Sequence, residues 1–353
     1  MLNRKLFLIA MLIGTIFSAC TYKDFDSLQK SDNNYNLTTE KYLSENFTVE
    51  KIDSFYNTGV EGVFVGEENI KIYYKYFLQQ NRLTEKGAIV ISAGRTEAVV
   101  KYKELIYDLY KNGYSVYIHD HRGQGLSDRM IAQHDIGYID DFQNFVKDLK
   151  QFYNSFVKPN NHKSNYLLAH SMGGAIGMIY LEQYPNDFNA AAFSSPMLGL
   201  PCPTCLVIGF LTDDKPEYAM GSTDYENGIE LFSVNTVTNS KIRYDRMLKV
   251  FEEYPKARLG GASYDWVNKS CSAFDYIFDN YDKIKTPLIV FSGEEEEIVK
   301  TSAHNKFIEM LVENGNDAKG YLVKQAKHEL FIEKDIARIS VLTKIFDFYS
   351  SKK

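Results

Sequence analysis

From residue 61 onward, the hydrophobic and polar positions change repeatedly between two periodicities. Short apolar runs rich in β-branched and aromatic residues predict strands, and hydrophobic residues spaced three and four positions apart predict helices. Strands that alternate with helices are typical of an α/β fold, a mainly parallel sheet covered by helices on both faces. Strands are expected at residues 62–65, 70–77, 88–92, 114–119, 166–169, 190–194, 288–291 and 320–323, and helices at 98–111, 142–153, 172–184, 301–311 and 336–349.

One stretch of the chain interrupts this alternation. Residues 197–275 carry several amphipathic segments but no strong strand signal. An insertion between two strands of such a sheet lies over the carboxyl edge, where ligands bind. We therefore expect a helical lid at residues 197–275, inserted into a core of residues 51–196 and 276–353. A helical decoration without a gating role is the alternative.

The amino terminus has the pattern of a targeting signal. Arg4 and Lys5 precede an apolar stretch, residues 6–17, which is too short to span a bilayer and suits a signal peptide. Cys20 follows two small residues, as in bacterial lipoprotein signals. This resemblance implies that residues 1–19 are removed and that a lipidated Cys20 anchors the protein in the bacterial cell envelope, facing outside the cytoplasm. An ordinary secretory signal and an uncleaved anchor are the alternatives.

The composition indicates a folded globular protein and argues against some kinds of partner. The 353 residues are 44% hydrophobic and include 23 Phe and 26 Tyr, so the bulk of the chain is expected to fold into a core of its own. A net charge of -6, with both signs interspersed, argues against a nucleic-acid partner, and a monomer is expected. Residues 20–50 are rich in Asn, Ser, Thr and Lys, which predicts a polar tether between anchor and core.

Two cysteines, Cys202 and Cys205, have the spacing of a redox or metal motif. Neither a second cysteine pair nor a nearby histidine completes a zinc set. We therefore expect a structural or incidental role, with a local disulfide between the two as one alternative in an exported protein.

The strongest chemical signal surrounds Ser171, between a predicted strand and a predicted helix. A nucleophilic serine in such a tight turn needs small residues two positions before and two after it, and Ala169 and Gly173 occupy these positions. Ala169 stands where Gly is commoner. The helix amino terminus then directs free N–H groups toward an anion formed on attack. The context predicts that Ser171 is a catalytic nucleophile.

A serine nucleophile needs a base, and in this kind of fold the histidine follows the acid along the chain. His304 and His328 are the two histidines late enough in the sequence. His328 lies in a polar loop between the last predicted strand and the terminal helix, where the base is expected. His304 lies within the predicted helix 301–311 and is expected at the surface.

The acid is expected after the strand at residues 288–291, where four consecutive glutamates, 294–297, follow. Four like charges cannot all face inward, because close carboxylates disfavour each other's ionisation. One of them is expected to accept the Nδ1–H of His328 and stabilise the imidazolium, and the other three to be solvated.

Several separated motifs resemble the α/β-hydrolase branch that contains bacterial lysophospholipases and monoacylglycerol lipases, a branch often described as serine aminopeptidase-like. The resemblance extends over residues 61–349, including the lid. In that family the acid is usually an Asp three residues after the Gly that ends the strand. Glu296 holds this place, with Glu295 and Glu297 as rivals, and Glu here resembles the lysophospholipase members. The motifs are residues 93–97, 119–127, the serine turn, 259–261, 293–299 and 328–335.

The same resemblance implies an oxyanion hole made by the backbone N–H groups of Met172 and Arg95. For the Arg95 side chain, a contact with a substrate phosphate and an outward salt bridge are both open. Residues 120–127 are expected to be structural support beside the nucleophile. No metal and no cofactor are implied.

The resemblance implies a serine carboxylester hydrolase that releases fatty acid from lysophospholipids or monoacylglycerols through an acyl-enzyme on Ser171. Its expected partners are the lipid ester and, through Cys20, the membrane. An aminopeptidase or short-chain esterase of the same fold is the first alternative. The alternative from another class is a non-catalytic envelope lipoprotein that binds lipid or protein.

Overall fold

A single sheet forms the centre of the molecule. The strands are β1 (Asp26–Leu28), β2 (Val60–Val65), β3 (Lys71–Phe77), β4 (Gly87–Ser92), β5 (Tyr114–His119), β6 (Asn165–His170), β7 (Ala190–Ser194), β8 (Leu288–Gly293) and β9 (Ala318–Val323). Their order in the sheet is β1-β9-β8-β7-β6-β4-β5-β3-β2. The strands from β1 to β5 in this order pair in parallel, whereas β3 is antiparallel to both β5 and β2. The structure is a computed structural model, and it describes residues 25–29, 31–201, 203–208, 216–225 and 231–352.

Helices cover both faces of this sheet. They are α1 (Glu40–Leu43), α2 (Asn46–Tyr56), α3 (Lys103–Lys111), α4 (Phe142–Phe152), α5 (Met172–Gln183), α6 (Thr204–Ile208), α7 (Lys241–Glu253), α8 (Tyr264–Asn280), α9 (Thr301–Glu313) and α10 (Asp335–Ser350). The α/β fold class with a mainly parallel sheet is therefore confirmed. No helix in the described ranges combines the length and apolar character needed to cross a bilayer.

The apolar core consists of two layers, one on each face of the sheet. Successive side chains of a strand point to opposite faces. On β4, Ala88 and Val90 therefore belong to the layer with α4, α5, α8 and α9, while Ile89 and Ile91 belong to the layer with α3 and α10. A strand buried on both faces needs a continuous apolar run, which is why the central strands could be predicted from the sequence.

The segment at residues 20–50, which was predicted to be a polar tether, is folded against the core in its described part. Within residues 20–50, the described part includes β1, which pairs with β9 at the sheet edge, and the helix α1. Leu37 is fully buried, and Thr38 donates its hydroxyl to Asp108 at 2.8 Å. Asn33 closes a turn by accepting the Leu37 N–H at 2.7 Å. The tether prediction was wrong for this part, because its polar side chains form turns, caps and buried hydrogen bonds. Cys20 and the predicted signal peptide, residues 1–19, lie outside the described residues.

The described residues of the insertion between β7 and β8 include the helices α6, α7 and α8, and the end of the insertion differs from the predicted one. Helix α8 runs without interruption to Asn280, so the predicted end at residue 275 falls inside a helix. Within the insertion, Cys205 on α6 is joined to Cys271 on α8 by a disulfide. The alternative of a local disulfide between Cys202 and Cys205 was therefore wrong, because Cys205 bonds a residue that is distant in sequence and adjacent in the fold. Cys202 itself lies outside the described residues.

One buried guanidinium on helix α7 of the lid bonds to several other parts of the molecule. Arg243 donates to Glu104 of α3 at 3.0 Å and to Asp335 of α10 at 2.9 Å. It also donates to the carbonyl oxygens of Thr38 at 3.2 Å and Glu333 at 2.7 Å. The amino-terminal segment, the core helices and the lid therefore meet at a single side chain.

Candidate active site

Ser171 forms the turn between β6 and α5. Its backbone has φ 50° and ψ -119°, a conformation that costs energy in a non-glycine residue and is retained where the surroundings enforce it. The Ser171 N–H donates to the carbonyl of Ser194 at 3.1 Å, and its own carbonyl accepts from Gly174 and Met197, each at 2.8 Å. The turn is held by its neighbours on both sides. The predicted strand–serine–helix context is the one observed.

Two glycines allow this turn to approach the rest of the sheet edge. A methyl group on Gly173 would overlap the carbonyl oxygens of Ser92 and Ala93, at the end of β4. A methyl group on Gly174 would overlap Pro196, just after β7. The first turn of α5 therefore contacts the loop after β4, which brings the backbone of residue 172 beside residues 93–97. We call residues 93–97 the oxyanion loop.

His328 and Glu296 come together on the loops that follow β9 and β8. Nδ1 of His328 hydrogen-bonds to Oε2 of Glu296 at 2.7 Å. The imidazole is 5% exposed and the carboxylate is fully buried. Oε1 of Glu296 accepts the backbone N–H groups of Ile298 at 2.8 Å and Val299 at 3.1 Å. With Nδ1 engaged by the carboxylate, Nε2 is the imidazole nitrogen left to act on a substrate.

The surroundings of Glu296 keep its carboxyl ionised. Burial alone would raise its pKa, but the hydrogen bond and charge of His328, with two backbone N–H groups, lower the pKa to about 2. The other three glutamates of the run are exposed. Glu294 pairs with Lys324 at 2.7 Å, and Glu295 accepts from Asn239 at 3.0 Å. Of the four carboxylates, Glu296 is the one hydrogen-bonded to His328.

Ser171 and His328 lie on adjoining loops. The ring of His170, the residue before the serine, has its centroid 4.8 Å from that of the His328 ring. Nδ1 of His170 bonds the carbonyl of Ser194 at 3.1 Å. Among the described residues, His328 hydrogen-bonds to Glu296, but no hydrogen bond joins the Ser171 hydroxyl to His328. Such contacts are often long in hydrolases without substrate and shorten when it binds.

The oxyanion loop is held in place by several hydrogen bonds. The N–H of Gly94 donates to the carboxylate of Glu97, and its carbonyl accepts from the side chain of Gln124 at 2.7 Å. Thr96 adopts a positive φ of 61°. The N–H of Met172 opens α5, and the first N–H groups of a helix have no acceptor within it. The two predicted oxyanion donors, Met172 and Arg95, thus lie on segments in contact with each other.

The Arg95 side chain lies beneath the lid, and the predicted outward salt bridge was wrong. Its Nη2 donates to the carbonyl of Gly260 at 2.6 Å, and the guanidinium carbon is 5.1 Å from the centroid of the Trp266 ring. Burial lowers the pKa of Arg95 to about 10. Within the described residues, the lid provides a carbonyl oxygen and an aromatic face to this guanidinium, and no carboxylate pairs with it. A contact with a substrate phosphate stays a prediction.

His304 is another residue that the sequence analysis placed wrongly. It was expected at the surface but is fully buried, with Nδ1 bonded to Ser292 at 2.6 Å and Nε2 to the carbonyl of Pro196 at 2.6 Å. The signal was present, because His304 precedes Phe307, Ile308 and Leu311 by three, four and seven positions on the buried face of α9. It joins the end of β8 to the segment after β7.

Residues 120–127 support the neighbouring loops, in agreement with their predicted structural role. Asp120 accepts the N–H of Val99 at 2.6 Å, and Gln124 donates to the carbonyl of Gly94. Burial raises the pKa of Asp120 to about 7, against the backbone N–H groups that lower it. These contacts fix the backbone beside the oxyanion loop.

One cluster in the described residues has the composition of a metal site. Ligand atoms of Glu97, His170 and Glu329 lie within 4.8 Å of one another. Lys101, however, donates to Glu97 at 2.6 Å and also contacts Glu329. Its ammonium supplies the positive charge that a metal ion would supply. The sequence analysis missed this cluster, because Lys101 and Glu329 are 228 residues apart in the chain.

Comparison with known proteins identifies the family. Residues 84–335 match the family described as serine aminopeptidase, S33. Lysophospholipase L2 of Escherichia coli strain K12 is 32% identical over 316 residues, which cover 86% of this chain and 91% of that protein. The probable lysophospholipase L2 of Haemophilus influenzae is 31% identical over 318 residues, covering 88% of this chain and 98% of that protein.

The fold has a counterpart among solved structures. A soluble variant of the monoglyceride lipase from Saccharomyces cerevisiae, in complex with a substrate analogue, has a TM-score of 0.66 and 20% sequence identity. The match covers 84% of this chain and 95% of that one, and it shows the α/β-hydrolase fold. With a family match that spans most of the core and relatives above 30% identity over most of its length, this chain belongs to the serine aminopeptidase S33 family of α/β-hydrolases.

Proposed function

We propose that this protein is a carboxylic ester hydrolase that releases fatty acid from single-chain lipid esters, with lysophospholipids and monoacylglycerols as its substrate class. The observation that carries the proposal is the buried hydrogen bond between His328 and Glu296 on loops adjoining the Ser171 turn. Full-length relatives described as lysophospholipase L2 support the substrate class.

In the proposed mechanism, Oγ of Ser171 attacks the ester carbonyl carbon while Nε2 of His328 takes the hydroxyl proton. Glu296 is ionised and accepts the Nδ1–H, so it stabilises the imidazolium that forms. The tetrahedral oxyanion accepts hydrogen bonds from the N–H groups of Met172 and Arg95. His328 then protonates the departing alcohol, which leaves the fatty acyl group on Ser171.

The second half of the reaction regenerates the enzyme. A water molecule enters after the alcohol leaves, and His328 takes its proton as it attacks the acyl carbon. Collapse of the second tetrahedral intermediate returns the proton to Ser171 and releases the fatty acid. In each step, residues of this chain supply the general base, the general acid and the oxyanion donors.

The lid is the part of the molecule proposed to select the acyl chain. Leu206 and Val207 on α6 are 70% and 39% exposed, an arrangement suited to meeting an apolar ligand or interface. Leu198, just after β7, is buried against the core. The described apolar residues of this segment thus include one packed in the core and two at the surface.

The experiment that tests the function measures hydrolysis by the full-length protein in detergent. The panel contains a lysophosphatidylethanolamine, a monoacylglycerol, a short-chain p-nitrophenyl ester and an aminoacyl amide. We expect the two lipid esters to have the highest kcat/KM. Cleavage of the amide alone would favour the aminopeptidase alternative, and the short ester alone would favour the short-chain esterase. Failure of the folded protein to hydrolyse any of the four would contradict the proposal.

We also propose that lipidation of Cys20 holds the protein at the outer side of a bacterial membrane. The disulfide between Cys205 and Cys271 supports export, because such bonds persist in oxidising compartments. A Cys20→Ser variant is expected to leave the membrane fraction, while a Cys202→Ser variant is expected to stay in it. Retention of the Cys20→Ser variant in the membrane would contradict the anchor.

A further inference from the structure

A buried ion network lies behind the serine turn. Nζ of Lys101 donates to Oε1 of Glu97 at 2.6 Å and to the carboxylate of Glu329. The side chains of Lys101, Glu97 and Glu329 are only 5%, 3% and 12% exposed. The mechanism proposed above uses none of these three groups directly.

The first arm of this network, the ion pair of Lys101 with Glu97, ends on the oxyanion loop. The other oxygen of Glu97, Oε2, accepts the N–H of Gly94 and the hydroxyl of Tyr102. A methyl group on Gly94 would lie 3.0 Å from the ring of His170 and 2.7 Å from Glu97 Oε2. Glu97 therefore fixes the backbone directly before Arg95, whose N–H is the proposed second oxyanion donor.

The second arm ends on the loop that carries the imidazole, residues 324–329, which we call the histidine loop. Glu329 follows His328 directly, and its side chain contacts Lys101. Its N–H donates to the carbonyl of Val237 at 2.8 Å. The residue next to the imidazole is therefore held by its backbone from the lid and by its side chain from the core.

The two carboxylates of the network differ in their electrostatics: burial raises the pKa of Glu329, and the charge of Lys101 opposes that rise. Burial alone would lower the pKa of Lys101, but the charges of Glu329 and Glu97 raise it, so the ammonium stays protonated. Burial alone would raise the pKa of Glu97, but Lys101, followed by other neighbours, lowers it to about 2. The ammonium is a bridge between two carboxylates that would otherwise repel each other.

We propose that Lys101 is a positioning residue that couples the two halves of the active site, holding the oxyanion loop through Glu97 and the histidine loop through Glu329. This inference rests on the proposed function, since it assigns the two loops their roles in ester hydrolysis. The oxyanion donor and the base come from segments more than 200 residues apart in sequence. Because Lys101 contacts both loops, it fixes the distance between the oxyanion donor and the base. The activation barrier of the reaction depends on that distance.

The test compares kcat per active site for wild type, Lys101→Met and Lys101→Arg in the full-length protein. Sites are counted by titration with a fluorophosphonate. Because a displacement of about 1 Å can cost roughly 100-fold in rate, we expect Lys101→Met to lower kcat about 10- to 100-fold with little change in KM. Binding of a trifluoromethyl ketone, which mimics the tetrahedral intermediate, should weaken by the same factor. Lys101→Arg should recover most of the loss.

The matched control is Lys75→Met. Lys75 is 4% exposed and pairs with Glu61 at 2.5 Å, on strands at the opposite edge of the sheet from β9. Lys75→Met therefore removes an ammonium as buried as that of Lys101 without touching either loop, although the partner carboxylate of Glu61 is 54% exposed. Urea unfolding should show a loss of stability in both variants, whereas kcat per titrated site should fall in Lys101→Met alone.

Wild-type kcat per titrated site in a folded Lys101→Met protein would overturn the inference. An untitratable wild type would instead overturn the proposed function. Should Lys101→Met fail to fold, Glu97→Gln, Glu329→Gln and their double variant carry the test. If both arms act through Lys101, the double variant should lose less than the product of the two single losses in kcat. Independent losses that multiply would overturn the coupling.

Discussion

The carboxyl edge of the sheet and the lid above it are stabilised by different kinds of interaction. At the sheet edge, side chains are fixed by main-chain geometry: the strained Ser171 turn, the close approach at Gly173 and the two N–H groups on Glu296. The lid is held largely by side-chain interactions: the buried Arg243 joins α7 to α3 and α10, and the Cys205–Cys271 disulfide joins α6 to α8 within the lid. Substitutions at the edge should therefore change chemistry, and substitutions at lid attachments should change stability.

The largest effect is expected at Ser171. Ser171→Ala removes the nucleophile while the turn keeps its backbone contacts, so kcat for lipid esters should fall about 10⁵- to 10⁶-fold. The midpoint of urea unfolding should stay close to that of wild type, because the strain lies in the backbone of the turn, which Ala retains. Steady-state hydrolysis with urea unfolding on the same preparation checks both. Substantial activity of a folded Ser171→Ala protein would contradict the assignment of Ser171 as the nucleophile.

Glu296→Gln should produce the next largest loss. The amide keeps the shape but cannot stabilise the imidazolium or enforce its tautomer, which predicts a fall in kcat of about 10³- to 10⁴-fold. Glu295→Gln and Glu297→Gln are the matched controls, since both side chains are exposed. They should keep wild-type kcat. A loss at either control larger than at Glu296 would assign the acid to that neighbour.

Arg243→Met tests the lid attachment. Removing this guanidinium leaves the buried Glu104 with Arg338 as its remaining cation and Asp335 without its ion pair, which should lower the free energy of unfolding by about 3 kcal/mol. Arg246→Met, on the same helix but more exposed, should cost much less. Urea unfolding measures both variants. If Arg243→Met instead left stability unchanged and abolished kcat, the division of roles between edge and lid would be wrong.

Reduction of the disulfide should have a smaller effect. The bond closes a long loop, with a sequence separation of 66, so its loss should cost about 2–4 kcal/mol in the free energy of unfolding. Dithiothreitol should lower the thermal midpoint of wild type and leave a Cys205→Ser/Cys271→Ser variant unaffected. A wild-type thermal midpoint that does not change with the reductant would show that this cross-link within the lid does not stabilise the protein.

The smallest expected effect concerns pH. The pKa of Glu296 falls from 4.5 to about 2 in the folded protein, so its charge contributes stability above pH 4.5 that is lost as pH falls toward 2. Below pH 5, the difference in unfolding free energy between wild type and Glu296→Gln should shrink as the pH falls toward 2. A difference that grows between pH 5 and pH 3 would contradict the assigned charge state of Glu296.

The sequence predicted the sheet edge better than the lid for a physical reason. The serine turn depends on residues within three positions of Ser171, and the loop of His328 is delimited by adjacent elements, so short-range patterns are sufficient. The four glutamates left the acid open, and the family resemblance selected Glu296. Local pattern also predicted most strands, because burial on both faces demands apolar runs.

The errors arose where contacts join distant parts of the chain. Polar residues near Thr38 suggested a tether, but their partners, such as Asp108, are 70 positions away. Cys205 pairs with Cys271 for the same reason. His304 is different, since its spacing from Phe307 and Leu311 already indicated the buried face of a helix. Long-range pairing cannot be deduced from one sequence, whereas helical periodicity can.

The identity of the nucleophile is tested most directly by covalent labelling. The folded full-length protein is treated with a fluorophosphonate, digested, and the modified peptide located by mass spectrometry. The account predicts a single adduct on Ser171, absent from Ser171→Ala and formed much more slowly in Glu296→Gln. An adduct on another serine, or no adduct on the folded wild-type protein, would contradict it.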